Sequence, residues 1–264
     1  MINNISFPKL GIEFNINPIA IKLGEGGVHW YGIIIAVGII LAVLYCSHIA
    51  KKEGENPENV TDLVLWALPV SVVFARTYYV LFSWDSYKDN PIDIFKIWEG
   101  GIAIYGAIIG AVLTAYIFCR VKKINPLKFF DICSLGLLIG QAVGRWGNFV
   151  NGEAFGGECA FFWGMSINGG EIVHPTFLYE SLWNTLVFVL LASLHKKRPF
   201  YGFTFFMYMT LYSIGRFFIE SMRADSLYLG NLRVSQLLAF ILIIVGIISL
   251  VLCRKNDKLS RKKE

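Results

Sequence analysis

Charge is scarce in this chain. Asp, Glu, Lys and Arg make up 16% of its 264 residues, while 55% are hydrophobic; an average domain carries about 25% charged residues. That balance excludes an ordinary soluble globular fold. The five cysteines (Cys46, Cys119, Cys133, Cys159, Cys253) form no CxxC pair. An odd, scattered set of this kind indicates neither a disulfide framework nor a zinc site, and the thiols read as small apolar packing residues. No His-Glu-x-x-His, Walker sequence or Ser-His-Asp order is present, so metalloprotease, ATPase and hydrolase readings have no support. No metal site is expected. The formal net charge of +5 is no nucleic-acid footprint, because the basic residues stand in short blocks between apolar runs. Repeats, low-complexity linkers and a composition break are also missing. One membrane-embedded domain over residues 1–264 is the expectation.

What the chain has is apolar runs of roughly the ~20 residues that cross a bilayer as helix. Residues 1–28 are mixed, carry a Gly24-Glu25-Gly26-Gly27 turn, and lack the basic start and apolar core of a cleavable signal. Runs then extend over about 31–49, 61–82, 100–119, 129–143, 177–194, 201–220 and 234–253. The lysines and arginines of segments 51–52, 120–128, 196–198 and 254–263 outnumber those on the alternate side by about two to one, and such an excess marks the cytoplasmic face. The expected fold class is therefore an all-α integral membrane protein of about seven transmembrane helices. Its N-terminus lies outside, its basic tail 254–264 is cytoplasmic, and an outer-face loop covers 144–175. Gly106/Gly110 and Gly136/Gly140/Gly144 have the small-xxx-small spacing that lets helices approach closely in lipid.

Chemistry concentrates between Gly144 and Gly157, where Arg145, Asn148, Asn151 and Glu153 stand among five glycines. Arginine offers a planar fork of donors suited to phosphate or carboxylate; asparagine donates and accepts, and glutamate accepts a proton or orients the arginine. Composition alone also allows a glycine-rich reversal with Arg145 marking the membrane boundary. A second cluster, Tyr212, Arg216 and Glu220, lines one helix face at i, i+4, i+8, with Arg223 and Asp225 just beyond. Charges at membrane depth are functional candidates by default, although Arg216 and Glu220 could also simply neutralise each other. Arg76 in the second run is as readily a structural partner of an acid. Three further blocks stand at outer ends of runs: His29-Trp30-Tyr31-Gly32, Glu99 to Gly106 with Tyr105, and His174-Pro175-Thr176-Phe177-Leu178-Tyr179-Glu180. Trp30 fits the interfacial aromatic belt. Arginines, tyrosines and acids arriving from several helices suit an anionic lipid headgroup whose acyl chains remain in the bilayer. A lipid transporter or a seven-helix scaffold is the alternative class, but no inverted-repeat symmetry is visible.

At these residues the chain resembles the bacterial prolipoprotein diacylglyceryl transferases. The resemblance rests on Gly144-Arg145-x-Gly147-Asn148-Phe149-x-Asn151-Gly152-Glu153, on the His29 and His174 blocks, and on Tyr212-x3-Arg216-x3-Glu220-x2-Arg223. It covers nearly the whole chain. It implies transfer of the sn-1,2-diacylglyceryl group from phosphatidylglycerol to the lipobox cysteine thiol of a prolipoprotein signal peptide. Glycerol 1-phosphate leaves, no cofactor takes part, and the plasma membrane is the site. Carried over by position, Arg145 contacts the headgroup; Asn148, Asn151 and Glu153 shape that site; Arg216 and Glu220 line the same cavity. Tyr31, His29, His174, Tyr212 and Arg223 are further binding candidates. In the block after Gly100-Gly101, where some members carry a histidine proposed as the base, this chain has Tyr105. A phenol is a poor base at neutral pH. Either Tyr105 only hydrogen-bonds, or Glu220 or Glu153 takes the proton, and nearby arginines favour the thiolate.

Overall fold

The computed structural model describes residues 2–24, 26–230 and 232–260; Glu25 of the glycine turn and residues 261–264 of the basic tail lie outside the described residues. The described residues contain seven long helices: α1 (Trp30–Lys52), α2 (Glu58–Phe82), α3 (Ile104–Val121), α4 (Pro126–Asn151), α5 (Thr176–His195), α6 (Phe203–Met222) and α7 (Val234–Ser260). Six of them, all but α6, are long and apolar enough to cross a membrane. Helix α6 is 20 residues long, but Arg216 and Glu220 and its Thr, Tyr and Ser residues interrupt its apolar run.

Short strands, which no hydropathy run announces, account for the mixed N-terminus. Strands β1 (Asn3–Phe7) and β2 (Ile12–Ile16) form a hairpin, and β3 (Ile19–Leu23) pairs with β4 (Gly26–His29). In the loop after α4, β5 (Met165–Ile167) and β6 (Ile172–Val173) complete a four-stranded sheet in the order β2-β1-β5-β6. A two-residue pair, β7 (Tyr228–Leu229) and β8 (Leu232–Arg233), precedes α7.

The chain divides into two compact units, residues 46–129 and residues 1–45 with 130–264. In the first of these, α3 packs on α2 through the glycines whose spacing predicts it. A Cβ at Gly106 would stand 2.6 Å from Tyr78 Cβ, and one at Gly110 2.9 Å from Phe74 Cβ. Arg76 finds backbone carbonyls, not the acid expected of it: it donates to Ile94 (2.8 Å), Asp93 (2.6 Å), Gly100 (2.6 Å) and Gly101 (2.8 Å). A buried guanidinium thus folds the 93–101 loop onto α2.

The other unit holds two apolar clusters. Ile5, Phe7, Met165 and Val173 of the sheet close over Phe149 of α4 and Phe177 of α5. Farther along the same helices, Leu135 and Leu138 of α4 meet Val187 and Leu191 of α5 and Tyr208 of α6. Of the second glycine row, Gly140 offers its carbonyl 3.5 Å from where a Cβ would stand on Gly38, and a Cβ at Gly144 would stand 3.1 Å from Ile35. Fully buried Asp131 accepts from the amides of Gly202 (2.8 Å) and Phe205 (2.9 Å) at the start of α6, which supplies partners to orphan donors of that helix end. The polar residues of α4, α5 and α6 that lie between the two apolar clusters are those of the site.

Candidate active site

The signature is the last two turns of a helix. The loop expected from Gly144 begins at Gly152, and Arg145, Asn148 and Asn151 are all helical. The glycines before Asn151 serve close approach instead of a reversal. A Cβ at Gly147 would stand 2.7 Å from the ring of Tyr31, so the first turn of α1 lies on the signature. The chain reverses at Gly152 and Ala154, with φ of 66° and 57°, and Asn and Gly residues are the usual occupants of that region. Thr176 Oγ1 donates to the Ala154 carbonyl at 2.5 Å and holds the unusual residue in place.

From there the loop is clamped on both sides. Gly156 N donates to His174 O (2.9 Å), His174 N to Gly157 O (3.0 Å), and Gly157 N to Met222 O (2.8 Å). A Cβ at Gly156 would lie 2.6 Å from His174 Cβ and 2.7 Å from Met222 O. This short bridge joins the end of α4, the start of α5 and the end of α6, which are the three places where the charged residues stand.

Glu180 is the junction of the charges. Its Oε2 lies 2.6 Å from Arg145 Nη2 and its Oε1 accepts from Arg216 Nη1 at 2.7 Å. Arg216 also reaches Glu220 Oε2 at 2.5 Å. Arg223 stands 3.7 Å from Glu180 and 4.0 Å from Glu220, and grips Asp225 with two bonds, Nε to Oδ1 (2.9 Å) and Nη2 to Oδ2 (2.7 Å). Burial works against ionisation at both members of this last pair. The pairing overrides it, so Arg223 is raised and Asp225 lowered from their ordinary values. Arg233 adds a bond to the Glu220 carbonyl.

Arg145 continues outward. Its Nη1 donates to Asn148 Oδ1 (3.3 Å), Asn148 donates to Glu153 Oε1 (3.1 Å), and Asn151 reaches the same oxygen at 3.4 Å. The side chains of Glu180 and Glu220 are 4% and 2% exposed, those of Arg145 and Arg216 23% and 18%. The acids are therefore sealed beneath the arginines, and the guanidinium groups face whatever enters. Each guanidinium carries five donors, more than the carboxylates take up.

Arg145, Asn148, Asn151, Glu153, Arg216, Glu220 and Arg223 thus lie in one connected network, with Glu180 at its centre. Tyr212 stands on the same face of α6, but half-buried against the inner apolar cluster with its ring 5.8 Å from that of Tyr208. Tyr31 lies on Gly147. His29 is exposed at the end of β4. His174 is a structural residue of the clamp, its Nδ1 3.2 Å from Tyr179 Oη, which accepts from Trp163 at 2.7 Å. Tyr105 belongs to the 46–129 unit, where its ring is 6.4 Å from that of Tyr78. Glu180 is the residue that the sequence undervalues. Its signal was an acid one turn into a mostly apolar helix.

Residues 18–252 match the family described as prolipoprotein diacylglyceryl transferase. Among similar proteins, one of Listeria innocua named phosphatidylglycerol–prolipoprotein diacylglyceryl transferase is 48% identical over 243 residues, covering 88% of each chain. A Lysinibacillus sphaericus protein of the same name is 46% identical over 94% of this chain and 96% of its own. One from Clostridioides difficile is 46% identical over 88% of this chain and 93% of its own.

Proposed function

Because the chain belongs to the prolipoprotein diacylglyceryl transferase family, we propose that it moves the sn-1,2-diacylglyceryl group of phosphatidylglycerol onto the lipobox cysteine of a prolipoprotein signal peptide, with the Arg145–Glu180–Arg216 network holding the lipid phosphate. The observation that carries the site is the meeting of two guanidinium groups from α4 and α6 on one sealed carboxylate of α5, in a chain built of membrane-length apolar helices. A cation pair fixed in this way needs no reorganisation when negative charge develops.

In the step, the cysteine thiolate attacks C3 of the diacylglyceryl glycerol. The C3–O bond to phosphorus breaks, its electron pair stays on the phosphate oxygen, and glycerol 1-phosphate leaves while the thioether forms. Arg145 and Arg216 hold the phosphate and take up the charge of the leaving group. The thiol proton goes to a carboxylate. Glu153 is the exposed one, tied through Asn148 to Arg145, whereas Glu220 is sealed against Arg216. Tyr105 has a hydrogen-bonding role in this reading, and no histidine is required. In this reading helix α6 also crosses the bilayer, the odd count puts the termini on opposite sides, and the excess of Lys and Arg on alternate segments makes the basic tail cytoplasmic and the N-terminus outer. The site opens at the outer face of the plasma membrane.

The test uses purified protein, phosphatidylglycerol labelled in its headgroup glycerol, and a lipobox peptide with cysteine or serine. Glycerol phosphate released only with the cysteine peptide is expected, and Arg145→Ala should lower that release at least ~100-fold, the usual scale for loss of a group that stabilises developing charge. Release without peptide would make the protein a phospholipase. Lipid crossing between leaflets with no release would make it a transporter.

A further inference from the structure

One helical turn beyond the charged cluster, away from the signature end, each of its three helices carries a polar side chain with a buried, unpartnered atom. These are Gln141 Oε1 on α4, Asn184 Nδ2 on α5 and Ser213 Oγ on α6. They stand at i−4 from Arg145, i+4 from Glu180 and i−3 from Arg216, so each shares its helix face with the charged residue above it. Asn184 is 2% and Ser213 1% exposed. Their levels are fixed by the packing of α5 on α6: Trp183 Nε1 donates to Leu211 O at 3.0 Å, and its indole lies where a Cβ on Gly215 would stand.

Ser213 is an exception on its helix. Thr210 and Ser221 of α6 return their hydroxyls to the carbonyls of Phe206 (2.8 Å) and Phe218 (2.6 Å), and Thr185 of α5 donates to Ser181 O (2.8 Å). That is the ordinary recourse of a helical hydroxyl. Buried donors without acceptors are uncommon in native proteins, and two at one level on facing helices favour any arrangement that supplies oxygen to both.

We infer that Asn184 and Ser213 form an acyl-ester subsite, whose two donors take the ester carbonyl oxygens of the diacylglyceryl group when its phosphate rests on Arg145 and Arg216. The inference rests on the proposed lipid substrate. Three to four helical residues advance roughly 4.5–6 Å along a helix, and the ester carbonyls of a glycerophospholipid lie a few bonds from phosphorus, at about that depth. Gln141 donates its Nε2 to Tyr208 Oη (2.9 Å) and leaves only an acceptor free. An ester cannot serve it, so it stands outside the subsite. The site thereby reads the lipid at two depths, charge at the phosphate and carbonyl oxygen at the glycerol, and prefers diacyl over dialkyl lipids that share a headgroup.

Two lipids decide the matter: phosphatidylglycerol with two ester-linked chains, and phosphatidylglycerol with two ether-linked chains, which lacks both carbonyls but keeps the reacting C3–O–P linkage. The full-length enzyme is assayed on each with the cysteine peptide. We expect kcat/KM about tenfold or more in favour of the ester lipid, as for a site whose donors are left unpaired by an analogue, and we expect Asn184→Leu and Ser213→Ala each to pull that ratio toward one. Equal rates on the two lipids in the unaltered protein, or a preference that survives in both variants, would overturn the subsite. Should Asn184→Leu fail to accumulate, Ser213→Ala and the unaltered protein still decide it. If neither lipid releases glycerol phosphate, the proposed reaction itself has failed, a result distinct from loss of the ester preference.

Discussion

Replacing Glu180 by glutamine keeps its shape and removes the charge that Arg145 and Arg216 both touch. Two guanidinium groups would then be left against a neutral amide in a setting that is 4% exposed. Breaking a buried ion pair on one side typically costs about 3–5 kcal/mol. Glu180→Gln should therefore lower the melting temperature in detergent far more than Glu153→Gln, which alters an exposed carboxylate and should stay within about 0.5 kcal/mol. A matching shift for the two variants would refute the junction. The histidines give the opposite expectation. His29 is exposed and His174 bonds to Tyr179, so the double variant His29→Gln with His174→Gln should retain at least about a tenth of the transfer rate, general-base loss ordinarily costing about 100-fold or more. Radiolabel transfer to the peptide measures it. The charged residues of the site could be read from the chain because Arg and Glu are rare in apolar helices. Which acid would meet which arginine could not, since that depends on the axial register of α5 against α4 and α6.

Two elements owe their shape to single positions. Arg76 gathers carbonyls from residue 93 to residue 101, and a lysine there has three donors from a point and no planar fork. Arg76→Lys should leave the helices intact yet render the 84–103 segment open to limited proteolysis, read as cleavage rate by mass spectrometry. At Gly156 an added methyl meets the Cβ of His174 on one side and the carbonyl oxygen of Met222 on the other, so Gly156→Ala should cost about 1–3 kcal/mol, as overpacking does, and depress transfer by loosening the clamp between α4, α5 and α6. Equal thermal stability and activity would show that the clamp is dispensable. Helices α1, α2, α3, α5 and α6 were legible in the sequence to within about four residues because each has an extended apolar run, whereas α4 and α7 continue well past the ends of theirs. The β1–β2 hairpin was not, for its Asn-Asn-Ile-Ser-Phe has no strict alternation and its partner strand β5 lies more than a hundred residues away. The end of α4 was misread because glycine counts as a breaker in isolation, whereas here Gly144 and Gly147 admit Ile35 and Tyr31.

For the whole chain, the asymmetry of Lys and Arg between alternate segments predicts one orientation. Cysteine introduced at Asn125 or Lys197 should resist an impermeant thiol reagent in intact cells, and cysteine at Asn15 or Asn168 should react, in a background lacking the native thiols. A reversed pattern would invert the topology, and reaction at both sets would contradict the alternation of sides from α1 to α5.

The charge network carries a consequence for how the chain is made. Arg145 enters the bilayer on α4, its acid Glu180 arrives on α5, and only α6 brings Arg216 with Glu220 at i+4 as a self-neutral set. Neither α4 nor α5 is electrically balanced in the bilayer on its own, and a lone arginine or acid at mid-membrane costs about 2.5–3.5 kcal/mol on insertion scales. Partitioning of the fourth helix is thus completed by translation of the fifth, and a nascent chain halted between the two holds an arginine without its acid.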